Sequence, residues 1–161
     1  MITVTEFEPH FVCCLPETYE LLKSGNLTVH PNVTRITLHG SRGPAGGHRD
    51  GSDVDLSLIV DTSAAKNTHE LKQLLSHVLN TTLQNWKGAA ELDLAAIWDK
   101  TGCGLPCFDV TDFDENLCDA VADCFGVYKT QKGFNGFVVG PAVQVRVMYP
   151  CMTIWKNKHD V

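Results

Sequence analysis

Two aspartates, Asp53 and Asp55, stand two residues apart in the run Ser52-Asp53-Val54-Asp55-Leu56. Around them Val54, Leu56, Leu58 and Val60 alternate with Asp53, Asp55, Ser57 and Ile59, the pattern of a strand with one polar end. Residues i and i+2 of a strand leave the same face with Cα atoms roughly 6.5 to 7 Å apart, so the two carboxylates can share a cation. Converging carboxylates are costly without a neutralising charge, and ligation by oxygen alone favours Mg²⁺ or Mn²⁺ over zinc. Eleven residues (42–52) separate this pair from Gly40-Ser41, which closes the β-branched run Val33 to His39. Glycine lets the backbone approach a ligand with no Cβ in the way, and a serine hydroxyl with the following amides can donate to phosphate oxygens. Arg42 adds positive charge beside them. A third acid, Asp93, lies on Glu91 to Trp98, where Leu92, Leu94, Ala96 and Trp98 alternate on the other face. Asp93 is preferred as the third corner because Leu92 and Leu94 flank it; Glu91, two residues earlier on the same face, is the alternative.

The segments Leu38-His39-Gly40-Ser41-Arg42 and Ser52-Asp53-Val54-Asp55-Leu56 together resemble the signature of the polymerase-β-like nucleotidyltransferase superfamily. Their wording is most similar to that of its minimal nucleotidyltransferases, over about residues 33–98. The resemblance implies that Gly40 and Ser41 hold nucleotide phosphates, with Arg42 balancing charge. It further implies that Asp53, Asp55 and Asp93 hold two divalent ions, Mg²⁺ or Mn²⁺. The implied activity moves a nucleoside monophosphate, AMP as the first choice, from a nucleoside triphosphate to an acceptor hydroxyl and releases pyrophosphate. The acceptor is left open among a small molecule, a protein side chain and an RNA end. The alternative is an antitoxin-like or regulatory chain that binds a protein partner and turns over little on its own. Two departures stand out: His39 occupies a position that is usually apolar in the superfamily, and the glycine-rich residues 43–51 make a poor helix where many members have one.

The elements that must position these groups follow from hydrophobic period. A short helix is expected after Leu15, with Pro16 in its first turn and a stop at Ser24-Gly25-Asn26. Leu71, Leu74, Leu75, Val78, Leu79, Leu83 and Trp86 recur at helical spacing, with Asn67 and Glu70 resembling a capping box. Phe113 to Cys124 suits an amphipathic helix whose outer side is acidic. Asn135-Gly136 signals a hairpin between Val127 to Phe134 and Phe137 to Val139, and Val143 to Tyr149 alternates as a further strand. The fold expected is α+β, or mixed α/β: one domain over 1–161, a single mixed sheet flanked by helices, its core at about 16–100 and a C-terminal acidic helix and β-ribbon at about 101–161.

Charge is distributed unevenly. The chain holds 13 basic and 19 acidic residues, a net charge of −6, which opposes binding along duplex DNA. Residues 101–125 carry six acids and no base, whereas 126–161 carry five bases and one acid. That basic tail, with Tyr128, Phe134, Phe137, Tyr149 and Trp155 among its charges, is the candidate surface for an acceptor or a protein partner. No run is long enough to span a membrane, and Met1 to Glu6 lacks a leader pattern, so a cytoplasmic protein with reduced thiols is expected. The seven cysteines have neither disulfide-scaffold nor convincing zinc spacing. The lysine-bearing phosphate loop, the dinucleotide fingerprint and the nucleophile elbow are all missing, which removes kinase, dehydrogenase and hydrolase readings.

Overall fold

The computed structural model describes residues 1–109, 124–138 and 150–158. The expected acidic helix at Phe113 to Cys124, apart from its last residue, and the strand at Val143 to Tyr149 lie outside the described residues. The elements are β1 (Ile2–Thr3), α1 (Pro9–Cys14), α2 (Pro16–Ser24), β2 (Thr28–Val29), β3 (Val33–His39), β4 (Val54–Val60), α3 (Thr68–Asn85), β5 (Leu92–Asp99), a 3-10 turn (Pro106–Asp109), β6 (Phe125–Lys129), β7 (Gly136–Phe137) and β8 (Met152–Lys156). The architecture is mixed α+β. A six-stranded sheet runs in the order β7-β6-β5-β4-β3-β8, and β1 and β2 form a separate two-stranded sheet, so the single sheet expected from the sequence is corrected to two.

Strand β3 turns back onto β4 antiparallel, whereas β4 and β5 are parallel and are joined through α3. A parallel pair needs such a crossover, and α3 begins as its sequence dictates: the Asn67 side chain accepts the Glu70 amide at 2.9 Å, and the Glu70 carboxylate accepts from the Lys66 amide at 2.7 Å. One face of the sheet, with Ile36, Leu38, Leu56, Leu58, Leu94 and Ile154, is buried against α1, α2 and α3 through Phe11, Leu22, Leu75, Val78 and Leu79. The other face carries a smaller apolar cluster, Ile59, Ala95, Ile97, Phe125 and Val127 under Leu105 and Phe108. Among the described residues, that cover lies over one end of β4 and β5.

Two expectations near the C-terminus change. The hairpin exists, but its turn is at residues 130–135 rather than at Asn135-Gly136. Lys132 and Gly133 take the left-handed conformation, and Tyr128 pairs with Phe137. Strand β8 belongs to the main sheet, beside β3, and not to a ribbon. Its run Met152-Thr153-Ile154-Trp155 is buried throughout, so it lacks the alternation that marks a half-exposed strand. Among the described residues, no helix is long and apolar enough to cross a membrane.

Candidate active site

The chemistry-bearing residues meet on the second face, at the end away from Leu105 and Phe108. His39 on β3 is in register with Asp55 on β4, and Asp55 with Asp93 on β5, so three polar side chains stand side by side on adjacent strands. Asp53 shares this face two residues before Asp55. Glu91, the alternative third acid, precedes β5 and is exposed. The register thus favours Asp93 as the neighbour of Asp55.

Gly40 ends β3 with φ +76°, and a Cβ there would overlap the Asp55 carboxylate and lie 2.9 Å from its Cγ. The chain then makes two successive tight turns, in which the Gly43 amide donates to the Gly40 carbonyl at 3.0 Å and the Gly46 amide to the Gly43 carbonyl at 3.1 Å. No helix forms between 40 and 52, in keeping with the glycine content. Ser41 is half-buried directly after the glycine. Arg42 has a use other than direct phosphate contact. Its guanidinium, 8% exposed, donates to the main-chain carbonyls of Ser52 at 2.7 Å and of Arg49 and Asp50 at 3.3 Å each. Thr18 on α2 donates to the Arg42 carbonyl at 2.7 Å. The arginine therefore closes the loop and brings Ser52-Asp53 back beside Gly40-Ser41, a shaping role that the sequence did not reveal.

Three groups in the site come from β6 and its hairpin turn. Lys129 Nζ lies 3.1 Å from Asp93 Oδ1, and Lys132 Nζ lies 2.5 Å from Asp53 Oδ2. The Gln131 side chain imitates a strand: it donates to the Leu92 carbonyl at 3.0 Å and accepts from the Leu94 amide at 3.1 Å, gripping β5 on either side of Asp93. A tail of alternating sequence gives no sign that these three residues reach the acids; only the local excess of lysine hinted at it.

The electrostatics are those of a site short of positive charge. Burial, then the neighbouring Asp93 carboxyl and the charge of Asp53, push Asp55 up to about 6. Asp93 Oδ1 is buried and pairs with the Lys129 ammonium at 3.1 Å, without a hydrogen bond of acceptable geometry among the described residues. Among the described residues no three carboxylates surround a single point, and Asp93 and Asp53 pair instead with Lys129 and Lys132. The donor set nonetheless fits hard divalent cations: all oxygen, one carboxyl resisting ionisation, and a glycine that leaves the approach open.

His39 is held neutral. Burial lowers it to about 4 against the raising influence of Asp93, and its Nε2 shares a 3.1 Å hydrogen bond with Ser57 Oγ. A depressed histidine supports the fold above its unfolded value and withdraws that support as pH falls from about 6.5 toward 4. Asp55 acts oppositely, its protonated form stabilising below about pH 4 and that gain being lost as pH rises through 6. The two nearly offset in the whole protein, so a substitution is needed to separate them. His39→Gln should gain on the parent by about 1–2 kcal/mol between pH 7.5 and pH 4.5, measured by urea unfolding at both. An unchanged difference at the two pH values would show that His39 is not the neutral group described.

A cavity of about 350 Å³ lies at the far ends of β3, β4 and β5, with Arg35, Asp61, Ser63 and Asp99 in its wall. Its main charges are already satisfied: Asp99 accepts the amides of Thr101, Gly102 and Gly104, and Arg35 donates to the carbonyls of Gly104 and Leu105. The unmet electrostatic demand is at the aspartates. Comparison of the sequence with protein families, with curated proteins and with solved structures returns no match.

Proposed function

We propose that the chain is a metal-dependent nucleotidyltransferase of the polymerase-β-like kind, moving a nucleoside monophosphate, AMP as the first choice, from a nucleoside triphosphate to an acceptor hydroxyl. The observation that carries this reading is the register of Asp55 with Asp93 on neighbouring strands, with Asp53 two residues away on the same face and Gly40, at the end of β3, packed against the Asp55 carboxylate. Asp53, Asp55 and Asp93 would hold two Mg²⁺ or Mn²⁺ ions, which supply charge neutralisation, lower the pKa of the attacking hydroxyl and steady the leaving oxygens. Gly40 leaves space for the triphosphate against the sheet, and the Ser41 hydroxyl donates to a phosphate oxygen. Arg42 holds the loop that carries both shoulders of the site. In the reaction the acceptor oxygen bonds to the α-phosphorus, the bond from that phosphorus to the bridging oxygen breaks, and pyrophosphate departs with the electron pair. The hydroxyl proton passes to solvent or to Asp93.

Incubating the protein with each α-labelled nucleoside triphosphate, Mg²⁺ or Mn²⁺, and separated protein, RNA and small-molecule fractions of a cell extract tests this directly. Label should enter one fraction with matching pyrophosphate release, and Asp55→Asn should reduce it by at least about 10³-fold. Metal-dependent nucleotide binding without label in any fraction would sink transfer and leave a nucleotide-binding chain.

A further inference from the structure

The two lysines that face the aspartates differ in how they are held. Lys129 is 18% exposed, lies on β6 and has its ammonium 5.4 Å from the centre of the Phe134 ring. It is fixed between an aromatic face and Asp93. Lys132 is 51% exposed and projects from the hairpin turn, where it takes φ +56° before Gly133 at φ +82°. The backbone beneath it is anchored, since neighbouring Gln131 is bonded to both Leu92 and Leu94, but the Lys132 side chain has only Asp53 to hold it among the described ion pairs.

We propose that Lys132 exchanges counter-ions: its ammonium occupies Asp53 in the cation-free protein, yields that carboxylate to a divalent ion, and transfers to the triphosphate that the ion brings. The inference rests on the proposed metal-dependent nucleotide site. Charge counting supports the exchange. Three carboxylates against two ammonium groups leave a net charge of about −1, and two divalent ions alone would make the site strongly positive. A triphosphate with four negative charges restores balance and offers Lys132 a new partner within the same cleft. Lysine suits this use better than arginine, being a compact charge on a flexible stem with three rotatable donors and no planar fork to re-seat. Metal alone should therefore bind against competition, and metal with triphosphate should bind without it. The turn that carries Lys132 becomes a device making nucleotide and cation binding mutually dependent.

The test titrates Mn²⁺ into the nucleotide-free protein, reading bound ion by electron paramagnetic resonance, for the parent, Lys132→Met, Lys132→Arg and Asp53→Asn/Asp55→Asn. Lys132→Met should bind Mn²⁺ about three- to ten-fold more tightly than the parent, the size expected for loss of a partly solvated ion pair, and Lys132→Arg should bind no more tightly. At saturating Mn²⁺, inorganic tripolyphosphate should raise the unfolding temperature of the parent more than that of Lys132→Met. Equal Mn²⁺ affinity in the parent and Lys132→Met, with binding lost in the double aspartate variant, overturns the exchange and leaves the metal site standing. No Mn²⁺ binding by any of the four proteins overturns the site and the exchange together.

Discussion

The double substitution Asp53→Asn/Asp55→Asn is expected to abolish divalent-dependent nucleotide binding while leaving the ligand-free fold intact. Most substitutions at half-buried, hydrogen-bonded positions destabilise, so this pairing of lost binding with retained stability is diagnostic. Its origin is the burial, and after it the neighbouring Asp93 and Asp53, that push Asp55 up to about 6. At pH 7 the ionised carboxyl is held against burial and two like charges, and a neutral amide relieves that strain. The group is partly solvated, so the relief is about 1 kcal/mol after screening, rather than what the full shift would imply. Asp55→Asn alone should raise the unfolding temperature of the apoprotein by roughly 2–4 °C. The double variant gives back part of this, because Lys132 loses its partner at Asp53. Circular dichroism melts at pH 7 with chelator present check the sign. A large fall in melting temperature would mean that these acids hold the fold together instead of serving a ligand.

Gly40→Ala should fail in the opposite way, losing stability and site together. The backbone at Gly40 is left-handed, which costs a residue with a Cβ about 1–2 kcal/mol. The added methyl would also run into the Asp55 carboxylate, with overpacking of about 1–3 kcal/mol. A combined loss of about 2–4 kcal/mol, roughly 5–15 °C in melting temperature, is expected, with Asp55 displaced from its register with Asp93. Gly47→Ala is the control. Gly47 has φ +85°, but among the described residues no atom lies within 4 Å of where its Cβ would stand, so the backbone cost of about 1–2 kcal/mol is what applies. Urea unfolding of both variants, with Mn²⁺ titration, separates the terms. Equal losses at positions 40 and 47 would mean that the contact with Asp55 is not what fixes glycine at position 40.

Much of the scaffold was legible because its periods are strong. Strands β3, β4 and β5 and helix α3 fall within a residue or two of where alternation and helical spacing put them, and the cap at Asn67 forms as its spacing implied. Carboxylates two residues apart on one strand must share a face, so Asp53 and Asp55 needed only a neighbour, and parallel pairing of β4 with β5 supplies Asp93. What was not legible depends on contacts distant in sequence. Arg42 beside Gly40-Ser41 looked like a phosphate ligand, yet carbonyls seven to ten residues ahead claim its guanidinium. Gln131 and Lys132 carry no periodic signal, since a turn residue is placed by its hairpin and not by its own type. The signal from Asn135-Gly136 was misleading about the turn, because Lys132-Gly133 provides left-handed residues earlier, in a turn that the side chain of Gln131 ties to β5. His39, out of place for an apolar strand end, finds its reason in Ser57 across the ladder.

The central claim is that these carboxylates exist to hold divalent cations under a nucleoside triphosphate. The most direct measurement is thermal unfolding with each of the four nucleoside triphosphates, with and without Mg²⁺ or Mn²⁺, for the parent and the double aspartate variant. A ligand at 100 times its dissociation constant adds about 2.7 kcal/mol, or roughly 5–10 °C for a chain of this length. The expected result is a rise of that size in the parent, requiring both metal and nucleotide, and no rise in Asp53→Asn/Asp55→Asn. No rise with any pairing, or an equal rise in the two proteins, would contradict it.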